Sequence, residues 1–387
     1  METTGETLDP QRQSQAREYA AIRRRWMLVE LLGGVIYLGL WLGTGWGISA
    51  RHAVESMLGG WGLTGETWWL VVLGEALILG APWFLLTLPL NHHTGFRLPH
   101  RYGQSTQTLK GWIGDNLKGL GVALVLGAPL LVGLYGLIQS APTLWWLWAT
   151  LLYTLVTAVL AAVAPLILLP LFYHQTPLAP EQAELRERLL DLAERARTKV
   201  EGVYRIDMSR RTRAANAALT GLGRTRRILL GDTLLDAFSG DEIETVLAHE
   251  MAHHVHRDIP LSLAVDSLLN ALGFLVVQVG LNLGVTWFGL SGPADPGGLP
   301  WIALLLGAFA LITMPLSNAF SRWRESMADD FALRLTGKPA AFASAMTRLA
   351  NQNLAEAEPE AWVVFLLYSH PPLASRIEKA RSAAAGR

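Results

Sequence analysis

The chain has 387 residues, 51% hydrophobic and 17% charged, and its 32 Lys and Arg balance 32 Asp and Glu. Ordinary soluble domains carry about 25% charged residues, so this deficit points to a membrane protein, and the zero net charge gives no footing for nucleic acid. The lack of cysteine excludes disulfides, thiolate metal sites and a cysteine nucleophile, and with them any lipid anchor on cysteine.

Six apolar runs, near 27–48, 68–90, 119–138, 144–172, 260–288 and 301–320, reach the roughly 20 helical residues that cross a bilayer. Tryptophans gather near their ends, as at Trp68–Trp69 and Trp145–Trp146, where amphipathic rings favour a membrane interface. The first run is too long, and its polar leader too extended, for a cleaved signal peptide. Arg23, Arg24 and Arg25 precede it, and the loop 91–118 carries Arg97, Arg101, Lys110 and Lys118. The alternate loops are poor in basic residues: 49–66 has only Arg51, and 139–143 and 289–299 have none. The positive-inside rule therefore predicts a cytoplasmic N-terminus, and six crossings return the C-terminus to the same side. The expected organisation is a cytoplasmic leader 1–26, a four-helix membrane domain 27–172, a cytoplasmic domain 173–259, a helix pair 260–320, and a cytoplasmic C-terminal part 321–387.

Within 173–259, the stretch 180–200 has Leu185, Leu189 and Leu192 at helical spacing with charges between them. VYRIDMS, 203–209, and RRILLGD, 226–232, alternate like strands, and NAALTGLGRT between them offers a third strand with a glycine turn. Ser239 followed by Glu242 reads as a capping box, which predicts a helix over 240–257. The expected fold is mainly α: a polytopic α-helical membrane protein with a cytoplasmic domain containing a small β-sheet.

The predicted helix carries VLAHEMAHHVHRD, 246–258. His249 and His253 are four apart, so both imidazoles leave one face about 6 Å apart along the axis, a spacing that one zinc ion can bridge. Glu250 can reach a water activated by that ion without ligating it. This is the HExxH arrangement of two ligands and a general base; taken alone, it also describes a polar helix face with satisfied histidines. His256 lies on the His249 face and His254 points elsewhere, and both suit interfacial or supporting positions. A catalytic zinc needs a third protein ligand. FSRWRESMADDFALRLTG, 320–337, places Glu325 and Asp329 on one helical face. Glu325 can ligate, and Asp329 can hold the N–H of a ligating histidine; the alternative is a set of solvated helix charges.

HEMAH followed by SRWRESMAD resembles the HExxH and SRxxExxAD pair of the type I CAAX prenyl endopeptidases, integral-membrane zinc metalloproteases of the gluzincin kind. NAALTGLGRTRRILLGDTLL (216–235), SHPPLASRI (369–377) and HRYGQSTQTLKGWIGDNLKG (100–119) resemble further stretches of that family in matching order, from roughly residue 60 to 380. The resemblance implies one zinc per chain held by His249, His253 and Glu325, with Glu250 as the base. Asn216 would hold the substrate backbone, His370 would stabilise the oxyanion, and Asp329 and Arg376 would support the site. It also implies transmembrane helices around a water-filled chamber, which Glu75, Asp266 and Asn270 inside the apolar runs would suit. The six spans counted here depart from the seven of eukaryotic members.

The resulting expectation is a membrane-embedded zinc endopeptidase, acting at the cytoplasmic face on a peptide or protein substrate that is prenylated or membrane-associated. Two other readings fit parts of the sequence. One is a quality-control protease of membrane proteins without prenyl specificity. The other is a non-catalytic membrane chamber with a relic zinc site.

Overall fold

The structure, a computed structural model, describes residues 7–63, 67–221 and 223–385; the first six residues of the expected leader and Leu222 in the predicted glycine turn lie outside them. Among the described residues, six helices are long and apolar enough to cross a membrane. They are α1 (Pro10–Gly43), α3 (Trp68–His92), α4 (Leu109–Ser140), α5 (Trp145–Phe172), α8 (Asp258–Phe288) and α9 (Leu299–Thr336). Their outer faces stay apolar and bare, as at Val125 and Ile312, while Tyr135, Trp145, Val277, Leu281 and Ile302 pack between them. Helices apolar on every side suit lipid outside and protein within.

The first span differs from its expected limits. Asp9 caps α1 by accepting from the N–H groups of Gln11 and Arg12, and Pro10 occupies the first turn, so most of the expected leader is helical. The helix stops at Gly43, and Gly45, with φ 71°, turns the chain into a separate helix, α2 (Trp46–Gly60). At 15 residues α2 is about 22 Å long, short of the roughly 30 Å of a hydrocarbon core. Its Val54 and Leu58 pack on Val71 of α3. Gly47 lies so close to the turn Pro296–Gly298 that a Cβ there would sit 2.5 Å from the Gly297 carbonyl oxygen. Both α2 and this turn pack against α3, whose Glu75 is fully buried. Glu75 is thus enclosed by protein rather than by the expected water, whereas Asp266 is exposed and Asn270 half-buried.

The polar domain is built on a four-stranded sheet of order β1-β2-β4-β3: β1 (Gln175–Pro177), β2 (Gly202–Ile206), β3 (Ala217–Thr220) and β4 (Arg227–Gly231). β2 pairs parallel with β4, and the edge strands β1 and β3 pair antiparallel with their neighbours. β1 was not anticipated; three residues including a proline carry no alternation to read. The strand expected over 203–209 ends at Ile206 because Asp232 accepts from the Ser209 N–H at 2.8 Å and from its hydroxyl at 2.6 Å, drawing the chain out of the sheet into a short turn. The helix expected over 180–200 is α6 (Ala183–Arg195), ended where Arg197 adopts φ 51°.

α7 (Gly240–Val255) lies across the sheet. Ser239 and Glu242 form the reciprocal capping box, and His256 and Arg257, the latter at φ 57°, end the helix short of the expected 257. Leu247 and Met251 enter a core with Leu189, Leu192, Ile228, Leu230 and Phe342. That core also takes in α10 (Pro339–Gln352) and α12 (Leu373–Ala385), which flank α11 (Ala361–Leu367). The boundary expected at 320/321 falls inside α9, a single helix of 38 residues. At about 57 Å it outruns a hydrocarbon core, and its last turns carry Glu325 and Asp329 onto α7.

Candidate metal centre

With its first turn fixed by the capping box, α7 directs His249 and His253 to one side, ring centroids 5.0 Å apart and planes 88° to one another. Glu325, from α9, faces both. One carboxylate oxygen is 3.1 Å from His249 Nε2 and the other 3.5 Å from His253 Nε2. Among the described residues, these three form the group whose candidate ligand atoms all lie within 4.8 Å of one another.

The far side of each imidazole is tied to a carboxylate: His249 Nδ1 to Asp329 at 2.9 Å and His253 Nδ1 to Asp258 at 2.7 Å. A carboxylate only accepts, so each Nδ1 carries a proton, and in the neutral, ligating form each Nε2 turns a lone pair to the centre. An arginine backs each pair. Arg376, on α12, donates twice to Asp329, and Arg324, on α9, donates to Asp258. The sequence reading placed Asp329 and Arg376 and gave no role to Asp258 or Arg324. The available signal was that Asp258 lies one turn past His253 and Arg324 immediately precedes Glu325.

The residues fit a divalent metal. Glu325 Oε2 is buried and accepts no hydrogen bond, although His249 Nε2 is close by. Two nitrogen lone pairs and an orphaned carboxylate oxygen converging on one point are stable only around positive charge. The same preference acts on His249 itself. Burial opposes a charge there, but the nearby carboxylates of Asp329 and Glu325, at 2.9 and 3.1 Å, prevail and carry its pKa up to about 9. Glu250, next along α7, has its pKa raised by burial, against the pull of the neighbouring imidazoles.

His370 lies in the turn between α11 and α12, largely exposed, with Nε2 3.4 Å from Glu325 Oε1. Arg322 steadies that turn by donating to the carbonyls of Val364 and Tyr368. Asn216 is exposed one residue before β3, and its carbonyl accepts from the Gly231 N–H at 2.9 Å. Among the described residues, no hydrogen bond joins its side chain to the histidine–carboxylate cluster. The segment leading into β3 is held by the start of α4: Arg211 makes two hydrogen bonds to Asp115, at 2.7 and 2.9 Å.

Comparison with known proteins agrees with this architecture. A family model described as peptidase family M48 matches residues 179–384, and one described as CAAX prenyl protease N-terminal, five membrane helices, matches residues 2–174. Among the described residues, the latter region has four long helices, and five once α2 is counted. A Bacillus subtilis (strain 168) protein named uncharacterized metalloprotease YhfN is 32% identical over 315 residues, covering 80% of this chain and 73% of that one. CAAX prenyl protease 1 of Saccharomyces cerevisiae is 29% identical over 313 residues, covering 76% and 68%. The crystal structure of S. mikatae Ste24p has the same fold, with a TM-score of 0.82 over 96% of this chain and 88% of that one at 24% identity. With both halves matched in order and a histidine–glutamate cluster where the fold brings α7 and α9 together, the chain belongs to peptidase family M48 and is an integral-membrane metalloendopeptidase.

Proposed function

We propose that the chain is a zinc endopeptidase working at the cytoplasmic face of its membrane, with His249, His253 and Glu325 as the ligands of one zinc ion and Glu250 as the general base. The observation that carries this reading is the convergence of two Nε2 lone pairs and the orphaned Oε2 of Glu325 beside Glu250. Bound zinc supplies a Lewis acid that polarises the scissile carbonyl and lowers the pKa of water toward about 7. Glu250 takes the proton from the attacking water and returns it to the leaving amine. His370 donates a hydrogen bond to the developing oxyanion, a contribution often worth about 3 kcal/mol for one donor. Asp329 with Arg376, and Asp258 with Arg324, hold the two imidazoles in the tautomer that ligation needs. Asn216 and the free edge of β3 receive the substrate as an added strand.

Arg23, Arg24 and Arg25, just before the apolar part of α1, and the basic residues 97–118 between the apolar parts of α3 and α4 support a cytoplasmic placement of both termini and of the metal centre. The substrate reading rests on relatives named CAAX prenyl proteases, and makes a prenylated C-terminal peptide the first candidate. The test compares a farnesylated CAAX peptide with its unprenylated twin, using zinc-loaded protein in detergent and Glu250→Gln as the blank. Cleavage of only the farnesylated peptide establishes a prenyl-directed protease. Equal cleavage of both establishes a broader protease of membrane proteins. No cleavage above the blank overturns the prenyl-protease reading.

A further inference from the structure

We infer that Asn353 and His254 plug the free edge of β3 on either side of Ala217, so that the substrate backbone is read through a single residue of this strand. The inference rests on the peptidase reading above and concerns how much extended chain the site accepts.

Residues of an antiparallel strand alternate between those that bond to the partner strand and those whose N–H and C=O point away. The Gly231 N–H donates to the Asn216 carbonyl at 2.9 Å, and β3 and β4 pair in register from Ala217 with Leu230 to Thr220 with Arg227. Asn216, Ala218 and Thr220 are therefore turned to β4, and Ala217 and Leu219 are turned to the free edge. The same parity continues back to Ala215 and Arg213.

On either side of Ala217 these outward groups find partners. The Arg213 N–H donates to the Gln104 carbonyl at 3.1 Å, and its carbonyl accepts from Gln352 Nε2 at 2.8 Å. The Ala215 N–H donates to Asn353 Oδ1 at 2.8 Å, and the Ala215 carbonyl accepts from Asn353 Nδ2 at 3.0 Å. A carboxamide carries the donor and acceptor of one peptide unit, so Asn353 completes one rung and cannot extend the ladder. Beyond Ala217, the Leu219 carbonyl accepts from His254 Nε2 at 3.0 Å. His254 sits on α7 next to His253, so this plug and the metal centre share one helix. Among the described residues, no partner takes the N–H or C=O that Ala217 turns to the free edge.

An incoming strand therefore finds one complete rung. At Ala215 both groups are taken, and at Leu219 the acceptor is taken. Sheet-edge recognition draws its affinity from successive rungs; here that source ends after one, and binding must depend on side chains or on an attached apolar group. The site then accepts substrates with a single extended residue at Ala217, whatever backbone lies two residues away.

The test is an N-methyl scan of a peptide that the zinc-loaded, full-length protein cleaves, beginning with a farnesylated CAAX peptide. N-methylation removes one backbone donor at a time. At the position that bonds to the Ala217 carbonyl it should raise KM about tenfold, the equivalent of one hydrogen bond, and two residues to either side it should change KM less than about twofold. In Asn353→Ala the Ala215 carbonyl is released, so methylation two residues to one side becomes costly. In His254→Ala the Leu219 carbonyl is released, and sensitivity appears on the opposite side. A merely structural role for either residue would lower activity without moving the pattern, and the two variants give independent readings should one fail to fold. Wild-type sensitivity two residues away, or an unmoved pattern in the folded variants, overturns the inference and leaves the peptidase reading standing. Absence of zinc-dependent cleavage of the unmethylated peptide overturns both.

Discussion

Arg376 grips Asp329 through two hydrogen bonds, of 2.6 and 2.9 Å, and the same carboxylate holds His249 Nδ1 at 2.9 Å. The arginine comes from α12, the carboxylate from α9 and the imidazole from α7, so a single buried chain of contacts locks three elements around one candidate ligand. Asp329 side chain is 1% exposed, and removal of one partner from a buried ion pair costs about 3–5 kcal/mol. Arg376→Ala should therefore destabilise the protein on that scale. Asp329→Asn should weaken zinc binding about 10–100-fold, read by competition with a chelator. Unchanged zinc affinity in Asp329→Asn would show that His249 needs no such support.

The second arm should behave alike. Asp258→Asn leaves one acceptor oxygen for both His253 Nδ1 and Arg324 and leaves Arg324 buried beside a neutral group, so zinc affinity should again fall about 10–100-fold. The matched control is Asp330→Asn. Asp330 neighbours Asp329 in sequence but pairs with Lys379, both side chains being partly exposed at 45% and 31%, and such solvent-screened pairs contribute about 0–1 kcal/mol. An equal loss in the control would mean that charge near the centre matters, and not the hydrogen bond to the imidazole.

Zinc retention and turnover should separate between Glu250 and Glu325. Glu250→Gln keeps its size and leaves all three candidate ligands, so zinc content should hold while cleavage falls about 10²–10⁴-fold, the usual contribution of a positioned base. Glu325→Ala should lose the metal. Normal zinc content in Glu325→Ala would remove Glu325 from the ligand set, and cleavage by Glu250→Gln would move the base elsewhere.

Metal binding should also release a proton. Without metal, His249 has its pKa carried up to about 9, so it is protonated at pH 7, and a ligating Nε2 must be free of its proton. Apparent zinc affinity should therefore rise with pH, by about tenfold per unit below 9, and level off above it. The sign follows from the raised pKa: the proton competes with the metal at every pH below it. Calorimetry in buffers of differing ionisation enthalpy reads the released proton directly, and zinc binding without proton release at pH 7 would contradict a protonated metal-free site.

What could be read from the sequence divides along physical lines. The long apolar helices and α7 follow from composition, periodicity and a cap, all local signals. His249, His253 and Glu250 are local too, one helical turn apart. Glu325 and Asp329 could be read from one helical face, but choosing them over solvated helix charges, and finding Arg376, took a pattern spread over separate elements, which resemblance supplied. Asp258 and Arg324 escaped notice because their pairing exists only when α8 begins where α7 ends and α9 crosses behind. The break after Gly43 escaped for another reason: the first three residues of α2 read as the end of the first apolar run and the rest as the loop 49–66, and only the left-handed Gly45 divides the two helices. Strand β1 has no pattern of its own and is defined by its partner β2.

The last prediction concerns that division. α2 is held against the turn Pro296–Gly298 by backbone approaching backbone, and a Cβ on Gly47 would lie 2.5 Å from the Gly297 carbonyl oxygen. Side chains can rotate away from an intruding methyl, whereas a carbonyl in a packed turn moves only with its whole segment. Gly47→Ala should thus force α2 off this seat, at about 1–3 kcal/mol for an overpacked contact. Gly39→Ala, on α1 where nothing lies within 4 Å of the added carbon, should be neutral or stabilising by up to about 1 kcal/mol through helix propensity. Thermal unfolding of both variants in detergent gives the comparison. A Gly47→Ala protein as stable as Gly39→Ala would show that α2 is loosely seated, and that the close approach of Gly47 and Gly297 does not hold the membrane domain together.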